Sequence, residues 1–322
     1  MMKAVIAQNK QPVIVELPIP QPQEGELLVK VATTALNRAD LLQVAGNYPP
    51  PSGSPDTLGL EFAGTVEAIG AGVTRFAVGD RVMALVGGGG YATYAIVHEA
   101  HAMPIPDNLS MIEAGAVVEA YLTAYSNMVE LGELQPSETV LIHAGASGVG
   151  LAACQIAHAI GATVLVTASA SKHAVCLEHG ASLCIDYRTE DFVERVLSHS
   201  PDGVQLVVDM VGAPYWNKNV SVLQEWGRIV FIGLQGGATT EVNFGQIMAK
   251  RLTVRGSTLR NRTHERKAGL IERFSAWGLA RLASGELKPN VWQAMPMSAV
   301  VEAHDLMRNN QNTGKIVLLV NE

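Results

Sequence analysis

Cysteine is scarce in this chain of 322 residues: Cys154, Cys176 and Cys184 are the only three, and none precedes position 154. An odd number cannot pair completely, and the spacing matches no metal-binding pattern, so a disulfide framework is excluded and a reducing, cytoplasmic setting is expected. Each thiol reads as a small buried hydrophobe. Charge is also sparse. Charged residues make up 16% of the chain, and 23 basic against 30 acidic residues give a formal net charge of −7. Phosphate backbones reward a basic face, so no nucleic-acid partner is expected. The opening MMKAVIAQNKQPVIVELPIP has neither a sustained apolar core nor a small-residue cleavage site, which argues against a secretory signal. Internal repeats and low-complexity segments are absent.

Acid is missing most conspicuously after Glu138, where the next carboxylate is Glu178. The interval is long enough for a membrane span. Its pattern rules one out, because it breaks into a β-rich run, a glycine turn, an Ala-rich helix ending at Gly161 and a second β-rich run.

What the chain does contain falls into two regimes. Up to about residue 120, short β-like runs such as GELLVKVA, GTVEAIG and RVMALV alternate with Gly and Pro turns, which predicts a twisted β domain. From about 121, strands predicted at 139–144, 163–168, 183–187, 204–211, 228–233 and 252–258 alternate with helices at 148–160, 172–179, 189–199 and 214–224. Nearly continuous apolar strands such as VQLVVDMV mark a parallel sheet covered on both faces. The fold class is therefore α/β, a doubly wound parallel sheet beside a mainly β domain. A helix near 265–284 and a strand at 314–320 close the chain.

The turn GASGVG (145–150) lies between a predicted strand and a predicted helix, the setting in which a glycine fingerprint binds a dinucleotide. Gly145 permits the tight turn and Gly150 the close helix–strand packing. Backbone N–H groups of Gly148 and Val149 would face a pyrophosphate. Ser147 stands where the middle glycine is usual, and its hydroxyl offers a donor to a phosphate oxygen.

The second strand of an NAD site normally ends in a carboxylate that accepts from the ribose 2′-hydroxyl. Here TASASK supplies Thr167, Ser169, Ser171 and Lys172 instead. A carboxylate would repel a 2′-phosphate, whereas hydrogen bonds to charged groups contribute about 1.5–3 kcal/mol each, so two of them would favour NADPH by roughly two decades. Lys172 either makes such a contact or is a solvated first-turn residue. Tyr187, ending the third strand, is placed to cover either the same phosphate or the adenosine edge, while Arg188 is expected to face solvent.

Five segments, ALNRADLLQVAGNYPPP, GLEFAGTVEAIGAGV, IHAGASGVGLAACQIA, YWNKNV and GKIVLLV, together resemble the zinc-independent quinone oxidoreductases of the medium-chain dehydrogenase/reductase superfamily, of the p53-inducible and ζ-crystallin type. The resemblance runs the full length in order. It implies a GroES-like, mainly β catalytic domain at 1–120 and 260–322, and an NADP(H)-binding Rossmann domain at 121–259. Zinc-dependent members of the superfamily carry a Cys in the segment matching ALNRAD and a G-H-E motif. This chain has Asn37, Arg38 and Asp40 in the first and Gly59-Leu60-Glu61 in the second, so no metal is expected. His98 and His101 have ligand-like spacing but no evident third ligand.

The resemblance also implies a substrate-side pair, Asn37 and Tyr48. Tyr48 either donates to a developing oxyanion or only packs, and Asn37 either meets substrate or braces a turn. Thr123, Gly233, Leu234 and Leu259 match positions along the nicotinamide, and Lys315 a position that reaches the 2′-phosphate, while Arg260 and Arg262 either supply a phosphate contact or form a solvated pair. The implied activity is NADPH-dependent reduction of quinones by direct hydride transfer. Reduction of enones or enoyl thioesters, or NADPH binding without catalysis, are the alternatives. A homodimer or homotetramer paired through the edge strand near 252–258 is implied as well.

Overall fold

A computed structural model describes residues 1–320. The chain divides into two compact units, Thr123–Thr258 and the remainder.

Six parallel strands build the sheet of the first unit, in the order Leu183–Asp186, Thr163–Ala168, Thr139–Ile142, Val204–Asp209, Leu223–Phe231, Thr253–Gly256. Numbered along the chain this is 3-2-1-4-5-6, the doubly wound order. Leu141, Leu165, Ile185, Val207 and Ile229, one from each of five neighbouring strands, are at most 1% exposed and pack in one cluster. Burying each such side chain contributes roughly 1.5–3 kcal/mol. The order reverses between Thr139–Ile142 and Val204–Asp209, and the carboxyl ends of those strands carry the loops at 143–147 and 210–213. In folds of this kind ligands bind at that reversal.

The helix Gly148–Ile160 follows the first strand. Ala-rich sequence favours it, Ser147 caps its start by accepting from Gly150 N at 3.0 Å, and Gly161 ends it in the left-handed conformation at φ 90°. Expected and observed bounds differ more further along. The helix expected at 214–224 is a short turn at Ala213–Tyr215 and a helix at Trp216–Val222, after which Leu223 is already extended. The strand Leu223–Phe231 then absorbs Trp226 at φ 63°, and its register against the neighbouring strand shifts between Val204 and Leu206. A helix not anticipated from the sequence, Phe244–Lys250, is held by Asn243 accepting from Gly245 N and stopped by Arg251 at φ 53°.

The other unit is built on a seven-stranded sheet in which Glu26–Ala35 pairs with Lys315–Leu319, Glu61–Ile69 and Tyr94–His98, all antiparallel. Val31, Phe62, Val82, Tyr91 and Ile316 are completely buried in its core. A hairpin, Met2–Gln8 with Gln11–Leu17, joins by the bond from Val5 N to Tyr91 O. The helix His264–Ser284, capped by Thr263, belongs here too. No helix among the described residues is long and apolar enough to cross a membrane.

Candidate active site

The first site is the glycine turn. Gly145 N donates to Thr167 O at 3.0 Å, holding the turn on the second strand. A Cβ on Gly145 would stand 2.6 Å from Val166 Cβ, and one on Gly150 would stand 2.4 Å from Ala144 O, so both positions admit only glycine without a shift. Gly148 and Val149 open the helix and have no preceding turn of carbonyls for their N–H groups. With no acidic residue in that first turn, the helix start favours an anion. Ser147 departs from expectation. Its oxygen caps the helix, and its proton is directed to Met210 Sδ at 3.7 Å rather than outward.

Ser169, Lys172 and Tyr187 are brought together beyond the second and third strands. A hydrogen bond with the Ser169 hydroxyl, and then the Arg188 and Lys172 charges, draw the Tyr187 hydroxyl below its ordinary pKa. Ser171 sits exposed in the turn Ala170–Lys172 between them. Arg188 is exposed, as expected, but its guanidinium lies 5.8 Å from the Tyr187 ring centre and joins the cluster. Two hydroxyls and two cations thus stand where an NAD site offers a carboxylate.

The loop carrying Gly233 and Leu234 is pinned to its neighbour by Gly236 N donating to Val211 O and Ala213 N donating to Gly237 O. Asp209 shapes that neighbouring loop by accepting from Val211 N at 2.6 Å and Gly212 N at 3.0 Å. Its other oxygen holds Asn219, which in turn holds His143 Nε2 at 2.7 Å. Burial lowers the pKa of His143, so the ring is neutral and serves as a structural link. Thr123 is 7% exposed in the helix Val118–Tyr125.

The second site belongs to the other unit. Asn37 Nδ2 donates to Glu61 Oε1 at 2.9 Å and to Ala35 O, and its Oδ1 accepts from Lys315 Nζ at 2.7 Å. The amide therefore braces a buried network. Lys315 corrects an expectation. Its Nζ is spent on Glu61 Oε1, Asn37 Oδ1 and Leu36 O, all within 2.8 Å, and the residue is 5% exposed, so it has no donor left for a phosphate. Arg260 corrects another. Three of its five N–H groups bind Gly87 O, Tyr48 O and Gln43 Oε1, and the residue is 3% exposed, so it braces its own unit rather than reaching out to a phosphate; it lies 5.2 Å from the Tyr48 ring centre. Leu259 beside it is buried. The Tyr48 ring is thus fixed, while its half-buried hydroxyl has no protein partner among the described residues. Burial and then the Glu119 charge raise its pKa.

His264, which the sequence could not connect, packs its ring 4.3 Å from His98 and 4.6 Å from His101. The ring nitrogens are partly spent on the backbone, with His98 Nδ1 accepting from Ala100 N and His101 Nε2 facing His264 O. Among the described residues no group of three His, Cys, Asp or Glu is arranged to hold a metal.

Two family models match the chain: a zinc-binding dehydrogenase model over residues 148–276 and an alcohol dehydrogenase GroES-like domain model over 23–107. The quinone oxidoreductase of Homo sapiens is 30% identical over 95% of this chain and 92% of its own length. The chain belongs to the medium-chain dehydrogenase/reductase superfamily. Within it, the synaptic vesicle membrane protein VAT-1 homolog of Homo sapiens is 33% identical, over 93% of this chain and 80% of that protein. The crystal structure of Escherichia coli quinone oxidoreductase complexed with NADPH superimposes with a TM-score of 0.90 at 31% identity, covering 99% of this chain and 100% of that one. The CurK enoyl reductase gives a TM-score of 0.87 at 27% identity, with 99% of each chain covered.

Proposed function

We propose that this superfamily member is an NADPH-dependent, zinc-independent reductase of quinones. The observation that carries the reading is the Ser169–Tyr187 hydroxyl pair with Lys172 and Arg188 beside it, at the strand end where a carboxylate would select NAD. Gly145, Gly148, Val149 and Gly150 would receive the pyrophosphate, with Ser147 shaping their turn. Ser169, Ser171, Lys172, Tyr187 and Arg188 would hold the 2′-phosphate, and Thr123, Gly233, Leu234 and Leu259 the nicotinamide end. Bound NADPH would supply the hydride.

On the substrate side, Tyr48 presents its free hydroxyl to the oxygen of the acceptor, while Asn37 keeps the floor beneath it rigid. Asn37 and Leu60 occupy positions where zinc-dependent members carry ligands, so the acceptor must accept hydride without a Lewis acid. Quinones do so readily, because the product is an aromatic hydroquinone. The strand Thr253–Gly256, at the edge of its sheet, supports a homodimer or homotetramer, measurable by sedimentation.

The structural likeness to an enoyl reductase favours one second reading, reduction of α,β-unsaturated ketones or thioesters on the same residues. NADPH oxidation measured against ortho-quinones, para-quinones and enones separates the two. Faster turnover of quinones with NADPH than with NADH is the expected result. Equal rates with both cofactors overturn the cofactor assignment. NADPH binding with no turnover on any acceptor overturns catalysis itself.

A further inference from the structure

Three carboxyl groups and one fully engaged ammonium cluster around Asn37, in the unit that carries Tyr48. Glu61 is completely buried and paired with Lys315 at 2.8 Å, and its second oxygen accepts from Glu119 N at 2.9 Å. Asp40, 1% exposed, accepts from Asn37 N at 2.7 Å and Tyr91 O–H at 2.9 Å through one oxygen, and its other oxygen has no partner. Glu119 differs from both. The residue keeps some exposed surface, but its carboxyl is enclosed by protein and makes no hydrogen bond among the described residues, yet its charge bears on Tyr48, Arg260 and Lys267.

We infer that Glu119 is a catalytic acid that hands its proton to the oxygen of the reduced acceptor. The inference rests on the reductase reading above. An acceptor that takes a hydride gains two electrons and one proton and is left one proton short of the neutral product. The Glu119 O–H bond breaks, a new O–H bond forms on the acceptor oxygen, and the carboxylate recovers its proton from water. Tyr48 then needs only to donate a hydrogen bond to that oxygen, not to ionise.

Electrostatics supports the protonation state. Burial first, then the Glu61 and Asp40 carboxylates, outweigh Lys315 and Lys267 and push Glu119 up to about 8. Lys315, the cation nearest the carboxyl cluster, is already neutralised by Glu61. Two negative charges around one spent ammonium leave the third carboxyl neutral.

Glu119→Gln keeps shape and removes the proton. Infrared difference spectra of the cofactor-free protein should show a protonated carboxyl band lost through about pH 8, above the range near pH 6 in which Asp40 titrates, in the wild type and missing in Glu119→Gln. With NADPH and a benzoquinone, wild-type kcat should fall above about pH 8. Glu119→Gln should be slower by roughly 10²-fold, with a flat profile and an unchanged NADPH KM. Glu119→Asp should restore part of the rate and the pH dependence. A wild-type protein without the band, or a Glu119→Gln variant with wild-type kcat and profile, overturns the assignment while leaving the reductase reading intact. A wild type that binds NADPH and reduces neither quinones nor enones overturns the reductase reading, and the acid role with it.

Discussion

Lys315 Nζ and Glu61 Oε1 form an ion pair at 2.8 Å with the lysine side chain 6% and the glutamate side chain 0% exposed. Removing one partner strands the other charge in the interior, at a cost of about 3–5 kcal/mol. Lys315→Met should therefore lower the urea midpoint strongly. The ratio of NADPH to NADH dissociation constants should stay at its wild-type value, since the ammonium is committed inside its own unit. A collapse of that ratio would restore the 2′-phosphate role that the hydrogen bonds argue against.

The opposite pattern is expected at Lys172. Lys172→Glu puts a carboxylate beside the Ser169–Tyr187 pair, where it repels a phosphate and can accept from a ribose hydroxyl. The NADPH KM should rise by roughly 10- to 100-fold while that for NADH changes little. Arg188→Ala should move the NADPH value in the same direction by less, because its guanidinium lies over the Tyr187 ring and is exposed to water. Steady-state kinetics with both cofactors checks each variant.

Local periodicity made the dinucleotide domain legible. The bounds 148–160 and 163–168 coincide with the helix and strand observed, because an Ala-rich run, a glycine turn and a β-branched run each report on neighbours in sequence. Partnerships across the chain left no such trace. Lys315 and Glu61 are 254 residues apart, and His101 and His264 are 163 apart. The resemblance puts Lys315 at the 2′-phosphate, and no local sign tells that a carboxylate awaits it. Ser147 differs in another way: a serine before a helix is a cap first, and with its oxygen accepting from Gly150 N its proton is aimed at Met210 Sδ rather than at a phosphate. Glu119 gave no signal at all, since an acid in an apolar helix is notable only when two more carboxyls fold against it.

Those carboxyls give the fold a pH dependence. Burial raises Asp40 to about 6 and Glu119 to about 8, both above the ordinary carboxyl range. The folded chain thus keeps protons that the unfolded chain releases near pH 4. The stability they contribute is fully present below that point and lost as pH rises through 6 and then 8. Urea midpoints should decline from pH 5 to pH 9, and Glu119→Gln should flatten the upper part of that decline. An unchanged slope in the variant would mean that Glu119 does not hold its proton.

Gly150→Ala tests the glycine turn independently of cofactor choice. The added Cβ would lie 2.4 Å from Ala144 O and 2.6 Å from Gly145 O, and both are backbone atoms that cannot swing aside. The turn must shift, carrying Gly148 and Val149 with it and turning their N–H groups away from the pyrophosphate. A pyrophosphate is common to NADPH and NADH, so both should bind at least about tenfold more weakly, a loss near 1.4 kcal/mol. Overpacking should also cost stability, by about 1–3 kcal/mol. Fluorescence titration of the two cofactors reads the outcome. A selective loss of NADPH alone would move the glycine turn's influence from the pyrophosphate to the 2′-phosphate and contradict the division of labour between this turn and the Lys172 cluster.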